Sequence, residues 1–390
     1  MSFPSITATI YLPTGATVTS YATAFDIQRG RSSLVFDEID AASGVVTLNN
    51  EDRRFDPLNA SGPYYGYLVP GCRVSLTAAG VTVFDGYAAD WSYEYSVDGR
   101  SLAVVRLEDG LARLGRQTFD EWNTTYGDLP GDRFAAIIAR PEVDWAGSTS
   151  FDTGAFYLDT DLVTWGSNVL NYCQLVARTD MGYFFVDRSG VLTFKDRLAF
   201  SGVASAVSFG TGGVAFHEIT TSYGVEQLFN KVTLGRVGGV DPVTVSDATS
   251  ITAYGGVFAY SYDGLLMQDD TQLEALATQL LAVYKDPIYR FESILVKTHA
   301  LTGTDQTGTL GLDIGDVVSV TWTPNDTGSA IARTCIVEGV RHSASADRTY
   351  TVELTLNDSS VVQAGSLYTV DDATYGYFDG GGTLEYPVAF

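Results

Sequence analysis

The first 118 residues have the apolar and polar pattern of short β-strands separated by turns. The stretch "SITATIYL" has a two-residue period that places Ile6, Ala8 and Ile10 on one face of a half-buried strand. Strands are also predicted for "GVVTLNN" and "RVSLTAAGVTVFDGYAADWSYEY", and "SLAVVRLEDGLARLG" predicts a strand that runs into a helical turn. Between them, residues 53–71 hold three Pro and three Gly, which predicts an ordered loop.

Residues 119–205 show helical spacing as well as strands. The stretch "GDRFAAIIAR" predicts a short helix ended by Pro141. A second helix is predicted for "SNVLNYCQLVARTDMG", with Ser167 as its N-cap and Gly182 as its C-terminal stop. The following "YFFVDRSGVLTFKDR" predicts a hairpin with its turn at residues 187–190. This segment is therefore predicted to be an α+β insert.

Residues 206–365 return to strands, with one helix predicted at about 270–285. Thr271 is followed three residues later by Glu274, which is the capping-box pattern, and Pro287 prevents continuation. One apolar stripe follows this helix, and it is formed by Leu273, Leu276, Leu280 and Tyr284. The strand "VVSVTW" is predicted to pair with "RTCIVEGVRH". Strict alternation in "TYTVELTLN" places on one face Tyr350, Val352, Leu354 and Leu356.

A chain of 390 residues is too long for one ordinary core and suggests two to four domains. We predict a mainly β fold with an α+β insert, and short, evenly spaced strands are typical of a barrel or sandwich. The predicted units are a first β-barrel domain at 1–118, the insert at 119–205, a second β-barrel region at 206–365, and an extended C-terminal arm at 366–390. A weak similarity between "LVPGCRVSLT" and "LDIGDVVSVTW" fits two related barrels.

Composition argues against several functions. The net charge of −24 disfavours tight binding to nucleic acid and to anionic membranes. Three distant cysteines, Cys72, Cys173 and Cys335, predict buried free thiols rather than a zinc site or a disulfide framework. No signal-peptide pattern occurs in residues 1–15, and no apolar run of about 18 residues predicts a membrane span.

The candidate chemistry is sparse. The three histidines, His217, His299 and His342, are isolated, and we expect structural roles for them. The "GTGG" at residues 210–213 lacks the lysine and the helix of a phosphate-binding loop.

Paired carboxylates leave one hydrolytic reading open. Two such pairs are Asp159 with Asp161 and Asp269 with Asp270, and a glycosidase needs carboxylates roughly 5 to 9 Å apart. Helix capping accounts for the second pair, and no Asp-Gly ligand loop supports Ca²⁺ binding by the first. We expect no catalytic, cofactor or metal site.

One ordered set of motifs does stand out. The segment "TLNNEDRRFDPLNASGPYYGYLVPGCRVSL" resembles the N-D-x-R-F-D-P-x-N…P-Y-Y…L-x-P-G-x-x-V segment of tailed-phage tail-tip proteins. Similar blocks follow in order as "VFDGYAADW", "LEDGLARLG", the helix and hairpin of the insert, and "LDIGDVVSVTW…IVEGVRH". Together they resemble the minor tail, or baseplate-hub, proteins of siphophages and gene-transfer particles. The structural motif comprises Arg54, Phe55, Asp56, Pro57, Asn59, Tyr64, Pro70 and Gly71, with Gly315 and Asp316 in the later block.

The resemblance implies a non-enzymatic structural protein of the virion tail tip, assembled in the host cytoplasm. It implies a homotrimer in which each chain gives two related, tail-tube-like barrels to a ring that is six-fold towards the tube and three-fold towards the tip. Its partners would be distal tail and tail-tube proteins, the tape-measure protein and tail fibre or other tip proteins. DNA would pass through the lumen during ejection, so we expect acidic side chains to line that channel and repel phosphate.

The residues of "RRFDPLN" suggest how its loop is held. Phe55 can fill the core, Asp56 can accept backbone N–H bonds, and Arg53 or Arg54 can pair with a carboxylate. The loop is then a rigid corner of the first barrel. A subunit contact and a purely internal corner both stay open at this point.

Three other functions compete with the hub. A distal tail protein, a hexameric adaptor, should carry only one such barrel. A cell-wall or polysaccharide hydrolase should have a deep groove with paired carboxylates. A carbohydrate-binding β module should expose aromatic side chains around a shallow cleft.

Overall fold

The computed structural model describes residues 3–13, 17–18, 21–31 and 38–359, and the arm predicted at 366–390 lies outside them. No helix in these ranges is long and apolar enough to cross a membrane. The first segment contains seven strands: β1 (Ile6–Tyr11), β2 (Thr17–Val18), β3 (Ala22–Gly30), β4 (Ser43–Asn49), β5 (Arg73–Ala78), β6 (Val81–Tyr95) and β7 (Ser101–Glu108).

The insert and the last segment mix helices with strands. The first segment ends with α1 (Gly110–Leu114). The insert contains β8 (Trp122–Asn123), α2 (Pro130–Ile138), β9 (Thr149–Phe151), β10 (Leu162–Val163), α3 (Val169–Asp180), β11 (Tyr183–Val186) and β12 (Leu192–Lys195). The last segment contains β13 (Val207–Gly210), β14 (Glu218–Ser222), β15 (Lys231–Arg236), β16 (Val243–Ser246), α4 (Ala248–Ala253), β17 (Ala259–Leu265), α5 (Asp270–Tyr284), β18 (Arg290–Val296), α6 (Gly303–Leu310), β19 (Val317–Trp322), β20 (Ile331–Ala344) and β21 (Tyr350–Asp358), with 3₁₀ turns at Thr298–Ala300 and Pro324–Asp326.

One sheet of 13 strands joins the first and last segments. Its order is β14-β18-β21-β20-β3-β4-β7-β6-β5-β1-β2, with β19 beside β20 and β13 beside β19. The junction is the antiparallel pairing of β3 with the C-terminal half of β20. A single hydrophobic cluster lies against both halves of this sheet. The mainly β prediction is confirmed, although no sheet closes into a barrel among the described residues.

The large sheet contains two copies of one five-strand module. In the first, β3-β4-β7-β6-β5 are antiparallel neighbours, and in the second β14-β18-β21-β20-β19 follow the same order and directions. The modules differ at the last strand, because β1 is antiparallel to β5 whereas β13 is parallel to β19. The predicted pairing of "VVSVTW" with "RTCIVEGVRH" is confirmed as β19 with β20.

The insert contains the predicted helices and hairpin, but two of its caps were predicted wrongly. Asn168, not Ser167, caps α3, because its side-chain oxygen accepts the N–H of Asn171. Met181, not Gly182, is the left-handed residue at the helix end, with φ +54°. Glycine is required at position 182 for a steric reason, because a Cβ there would lie 2.5 Å from the ring of Phe194.

The last segment also corrects the prediction. Helix α5 is capped by Asp269, not Thr271, because the Asp269 carboxylate accepts the N–H of Gln272 at 2.9 Å. Its apolar stripe is buried as predicted and packs on the small sheet β16-β15-β17. Helices α4 and α6 were missed, because "ATSITA" and "GTDQTGTL" are short and rich in poor helix formers.

His342 provides a pH-dependent test of this packing. It is fully buried on β20, with Nδ1 3.1 Å from the Tyr350 hydroxyl. Burial, then the charges of Arg29 and Arg188, lower its pKa from 6.5 to about 3. The unfolded chain therefore binds the extra proton first, so stability is full above pH 6.5 and falls as pH drops towards 3.

We expect His342→Gln to lose less stability than the wild type on acidification from about pH 7 to about pH 4, by up to about 1.4 kcal/mol per pH unit. Urea unfolding at several pH values measures the difference. The exposed His217→Gln variant is the control and should follow the wild type. Parallel pH profiles for wild type and His342→Gln would contradict the role of burial.

Candidate subunit-contact site

The predicted motif forms a loop of successive turns between β4 and β5. Phe55 is completely buried there and packs against three aromatic rings. Its ring centroid lies 5.6 Å from those of Tyr21 and Tyr64 and 6.4 Å from that of Trp91. The Phe55 N–H donates to the side-chain oxygen of Asn50, which is itself buried. Phe55 therefore fills the core, as predicted.

Both arginines of the motif pair with carboxylates. Arg53 donates to Asp56 Oδ2 through Nη2 at 2.6 Å and through Nε at 3.0 Å. Arg54 pairs with Asp52, and its guanidinium lies 4.1 Å from the centroid of the Tyr21 ring. These ion pairs connect neighbouring turns of the loop.

Asp56 also accepts the backbone N–H of Leu58 at 2.8 Å. The Arg53 hydrogen bond, and then this backbone bond, hold the pKa of the Asp56 carboxyl below its ordinary value. Asn59 donates to the Arg53 carbonyl at 2.9 Å. The predicted role of Asp56 as an acceptor is confirmed, and the corner is internally braced.

The outer side of the loop remains exposed. Pro57 and Pro70 are exposed, and four apolar side chains of the loop, one near its start and three near its end, face solvent. Those side chains are Leu58 at 85%, Tyr65 at 50%, Tyr67 at 41% and Val69 at 39%. The loop thus has a buried anchor and an exposed apolar surface, and its part in a subunit contact stays a prediction.

The two glycines of the motif occupy equivalent places in the two modules rather than one site. Gly71 has φ +84° and donates to the Ala88 carbonyl at 2.7 Å, and Ala88 donates back to Cys72. Gly315 has φ +86° and donates to the Val337 carbonyl at 2.8 Å.

Asp316 completes the second turn. Val337 donates its N–H to the Asp316 carbonyl at 2.9 Å, as Ala88 does to Cys72. The Asp316 carboxylate accepts the Asp313 N–H at 2.8 Å, and burial raises its pKa. The strand register breaks immediately afterwards in both modules, between Ala88 and Asp90 and between Val337 and Gly339. The weak sequence similarity between these segments therefore reflects a repeated structure.

Glu338, the bulged residue of β20, was missed by the sequence reasoning. Its carboxylate is fully buried and accepts from Arg31 Nε at 2.6 Å and Arg31 Nη2 at 2.8 Å. It also accepts from the Tyr183 hydroxyl at 2.9 Å and from Asn357 Nδ2 at 2.8 Å. Its donors come from both modules and the insert. A single acidic residue within the apolar run "CIVEGV" was the available signal.

Three of the four carboxylates considered for hydrolysis have structural partners. Arg236 lies 3.7 Å from Asp159 and 2.5 Å from Asp270, and therefore links the two pairs. Asp269 caps α5, and burial raises the pKa of Asp161.

The cysteines and His299 have structural surroundings in the part of the chain that the structure describes. No cluster of three or more potential metal-ligating side chains occurs within the described ranges. The three cysteines are free and buried, as predicted. His299 Nδ1 accepts the backbone N–H of Tyr350 at 3.1 Å.

The fold is shared with solved tail proteins. A tail protein from Neisseria meningitidis MC58 matches at 14% identity and a TM-score of 0.62, over 92% of this chain and 99% of that one. The 43 kDa tail protein of prophage MuSo2 from Shewanella oneidensis matches at 14% identity and 0.60, over 92% and 98%. The chain thus shares the fold of solved tail proteins, as the phage-tail resemblance implied, while the two barrels that it also implied stay a prediction.

A third structure extends the comparison. An Escherichia coli component of the type VI secretion system matches at 13% identity and a TM-score of 0.52, over 90% of this chain and 76% of that one. It is described as structurally similar to the bacteriophage T4 tail proteins gp27 and gp5. No protein-family model matches the chain, and no curated protein matches it.

Proposed function

We propose that this chain is a structural baseplate-hub protein of a phage tail tip, without enzymatic activity. Three copies form a ring that joins a hexameric tail tube to the tip and lets DNA pass during ejection. Distal tail, tail-tube, tape-measure and fibre proteins are its proposed neighbours in the virion. The proposed domains keep their borders at 1–118, 119–205 and 206–365.

The observation that carries this proposal is the repeated strand module. One chain contains two modules with the same strand order and the same glycine turn. Three chains would therefore present six modules, which matches a six-fold tube above and leaves three-fold symmetry below. In the complete ring, the two modules would belong to related tube-like barrels. Fold similarity to tail proteins over 92% of the chain supports the same assignment.

The charge of the sheet supports passage of DNA. The polar face of the strands nearest the junction carries more carboxylates than guanidinium groups. The carboxylates include Asp26, Asp90, Glu94, Glu108, Glu218 and Glu353, and the guanidinium groups include Arg106 and Arg341. A lumen lined by this face would repel phosphate and limit sticking. A ring with a neutral or basic lumen would contradict this part of the proposal.

The competing functions predict different assemblies. A distal tail adaptor would be a hexamer with one module in each chain, whereas this chain already contains two. A hydrolase would release sugar or peptide fragments from cell wall as a monomer. The partners of Asp159, Asp269 and Asp270 favour a structural role for these carboxylates.

Native mass spectrometry of the full chain, followed by electron microscopy, tests the proposal. We expect a trimer and a ring with a central channel. A hexamer of this chain, or a monomer that degrades cell wall, would overturn the hub assignment.

A further inference from the structure

We infer that β14 of one copy pairs with the C-terminal half of β6 in a second copy, antiparallel, in the way that β3 pairs with β20 inside the chain. The inference rests on the proposed ring and names the contact that would close it. The two modules offer two equivalent strand junctions. One is formed within the chain by β3 and β20, and in the other no described strand pairs with the corresponding edges of β14 and β6.

The filled junction defines the pattern. Residues 339–344 of β20 pair with β21 on one edge and with β3 on the other. The equivalent residues of β6 are 90–95, because they pair with 101–106 of β7 as 339–344 pair with 350–355 of β21. β14 is the counterpart of β3, because β14 pairs with β18 as β3 pairs with β4, and β18 and β4 hold the same place in the two modules.

Both members of the second junction have a free edge. No described strand pairs with residues 90–95 of β6 on the side away from β7. Likewise, β14 ends the large sheet and pairs only with β18 among the described strands. An exposed strand edge presents unpaired N–H and C=O groups, which form a template for another strand.

Burial differs between the two junctions in the expected direction. In β20, four of the six residues at 339–344 are buried, whereas in β6 none of residues 90–95 is buried. Tyr95 is 54% exposed, while its counterpart Ala344 is only 2% exposed. Ile219 of β14 is half-buried, while its counterpart Phe25 of β3 is 3% exposed. Pairing with a second copy would cover Ile219 and Tyr95, as pairing within the chain covers their counterparts Phe25 and Ala344.

The register of β3 against β20 predicts the register of β14 against β6 of the second copy. Phe25 lies opposite Ala344 and Asp26 lies opposite Ser343 at the filled junction. The register of the adjoining strands makes Ile219 equivalent to Phe25 and Thr220 equivalent to Asp26. Transfer of this register places Ile219 opposite Tyr95 and Thr220 opposite Glu94. The contact is head-to-tail, so repeated rotation can close it into a ring.

Cysteine cross-linking tests the register directly. Directly opposed residues of antiparallel strands have Cβ atoms about 4.5–5.5 Å apart, and a disulfide needs about 3.5–4.5 Å, so a small approach of the two strands lets opposed cysteines bond. We expect the oxidised double variant Glu94→Cys/Thr220→Cys to yield a covalently closed trimer, with neither single variant doing so. The matched control is Glu94→Cys/Thr244→Cys, because Thr244 is exposed on β16 outside the proposed contact. The three native cysteines are buried and can be alkylated after denaturation.

Charge reversal supplies an independent readout. Thr220→Glu places like charges opposite each other at each contact and should shift the trimer towards monomer. Adding Glu94→Lys to that variant should restore the trimer. Because Glu94 and Thr220 are exposed, neither change should unfold the chain.

The outcomes separate the two proposals. A wild-type trimer with the predicted cross-link and charge rescue supports both the ring and this contact. A wild-type trimer without the cross-link, or with no response to charge reversal, overturns this contact and leaves the hub proposal standing. A wild-type chain that stays monomeric overturns the proposed ring and the contact together.

Discussion

Replacing Glu338 with alanine is expected to lower the free energy of unfolding by about 3–5 kcal/mol, because one partner of a buried ion pair is removed. The lost carboxylate accepts from Arg31, Tyr183 and Asn357. Burial lowers the pKa of the Arg31 guanidinium, but the charge of Glu338, the nearby Tyr183 and the hydrogen bond to Glu338 together more than offset this, and the pKa is raised overall. The guanidinium is therefore held in its charged form at the junction.

Urea unfolding monitored by circular dichroism measures this effect. Glu274→Ala is the matched control, because that glutamate is exposed on α5 and should change stability by less than about 0.5 kcal/mol. Glu338→Gln should fall between the two, since an amide oxygen keeps one acceptor but not the charge. Equal stabilities for Glu338→Ala and Glu274→Ala would show that the cluster contributes no net stability.

Phe55→Ala is expected to cost about 3–5 kcal/mol, because it removes a fully buried aromatic side chain and leaves a cavity. The cavity would lie between Tyr21, Tyr64 and Trp91, all of which lose a ring contact. The loss should also loosen the outer part of the loop, which the Phe55 anchor holds against the sheet.

Leu58→Ala is the control for this variant. Leu58 is three residues away in the same loop and 85% exposed, so its truncation should change stability by less than about 0.5 kcal/mol. Thermal unfolding of both variants, with hydrogen exchange of the loop amides, separates loss of the anchor from loss of surface. A Phe55→Ala variant as stable as Leu58→Ala would refute the anchoring role.

Local pattern indicated most of the regular elements. The alternation of β1 and β21, the stripe of α5 and the turn of the insert hairpin were all readable from short windows of sequence. The "RRFDPLN" loop was also predictable, because its ion pairs and its Asx-type bonds link residues only two to five positions apart.

The sequence did not predict pairings between residues far apart in the chain, or which of two adjacent residues caps a helix. The β3–β20 junction joins residues more than 300 positions apart, and no local window records that pairing. Caps were misassigned where two adjacent residues could both serve, as with Ser167 beside Asn168. Tertiary contacts decided between them, because Asn168 also donates to the Gly115 carbonyl at 2.8 Å.

The pairing of β3 with β20 also implies a delay during translation, because β3 is synthesised long before its partner strand. About 300 residues separate the end of β3 from the start of β20, so at about 5–20 residues per second the ribosome delivers the partner roughly 15–60 s later. During that interval one edge of β3 has no neighbour from its own chain. Nascent chains stalled before Ile331 should therefore associate through β3 and recruit chaperones, whereas chains that have released β20 should not.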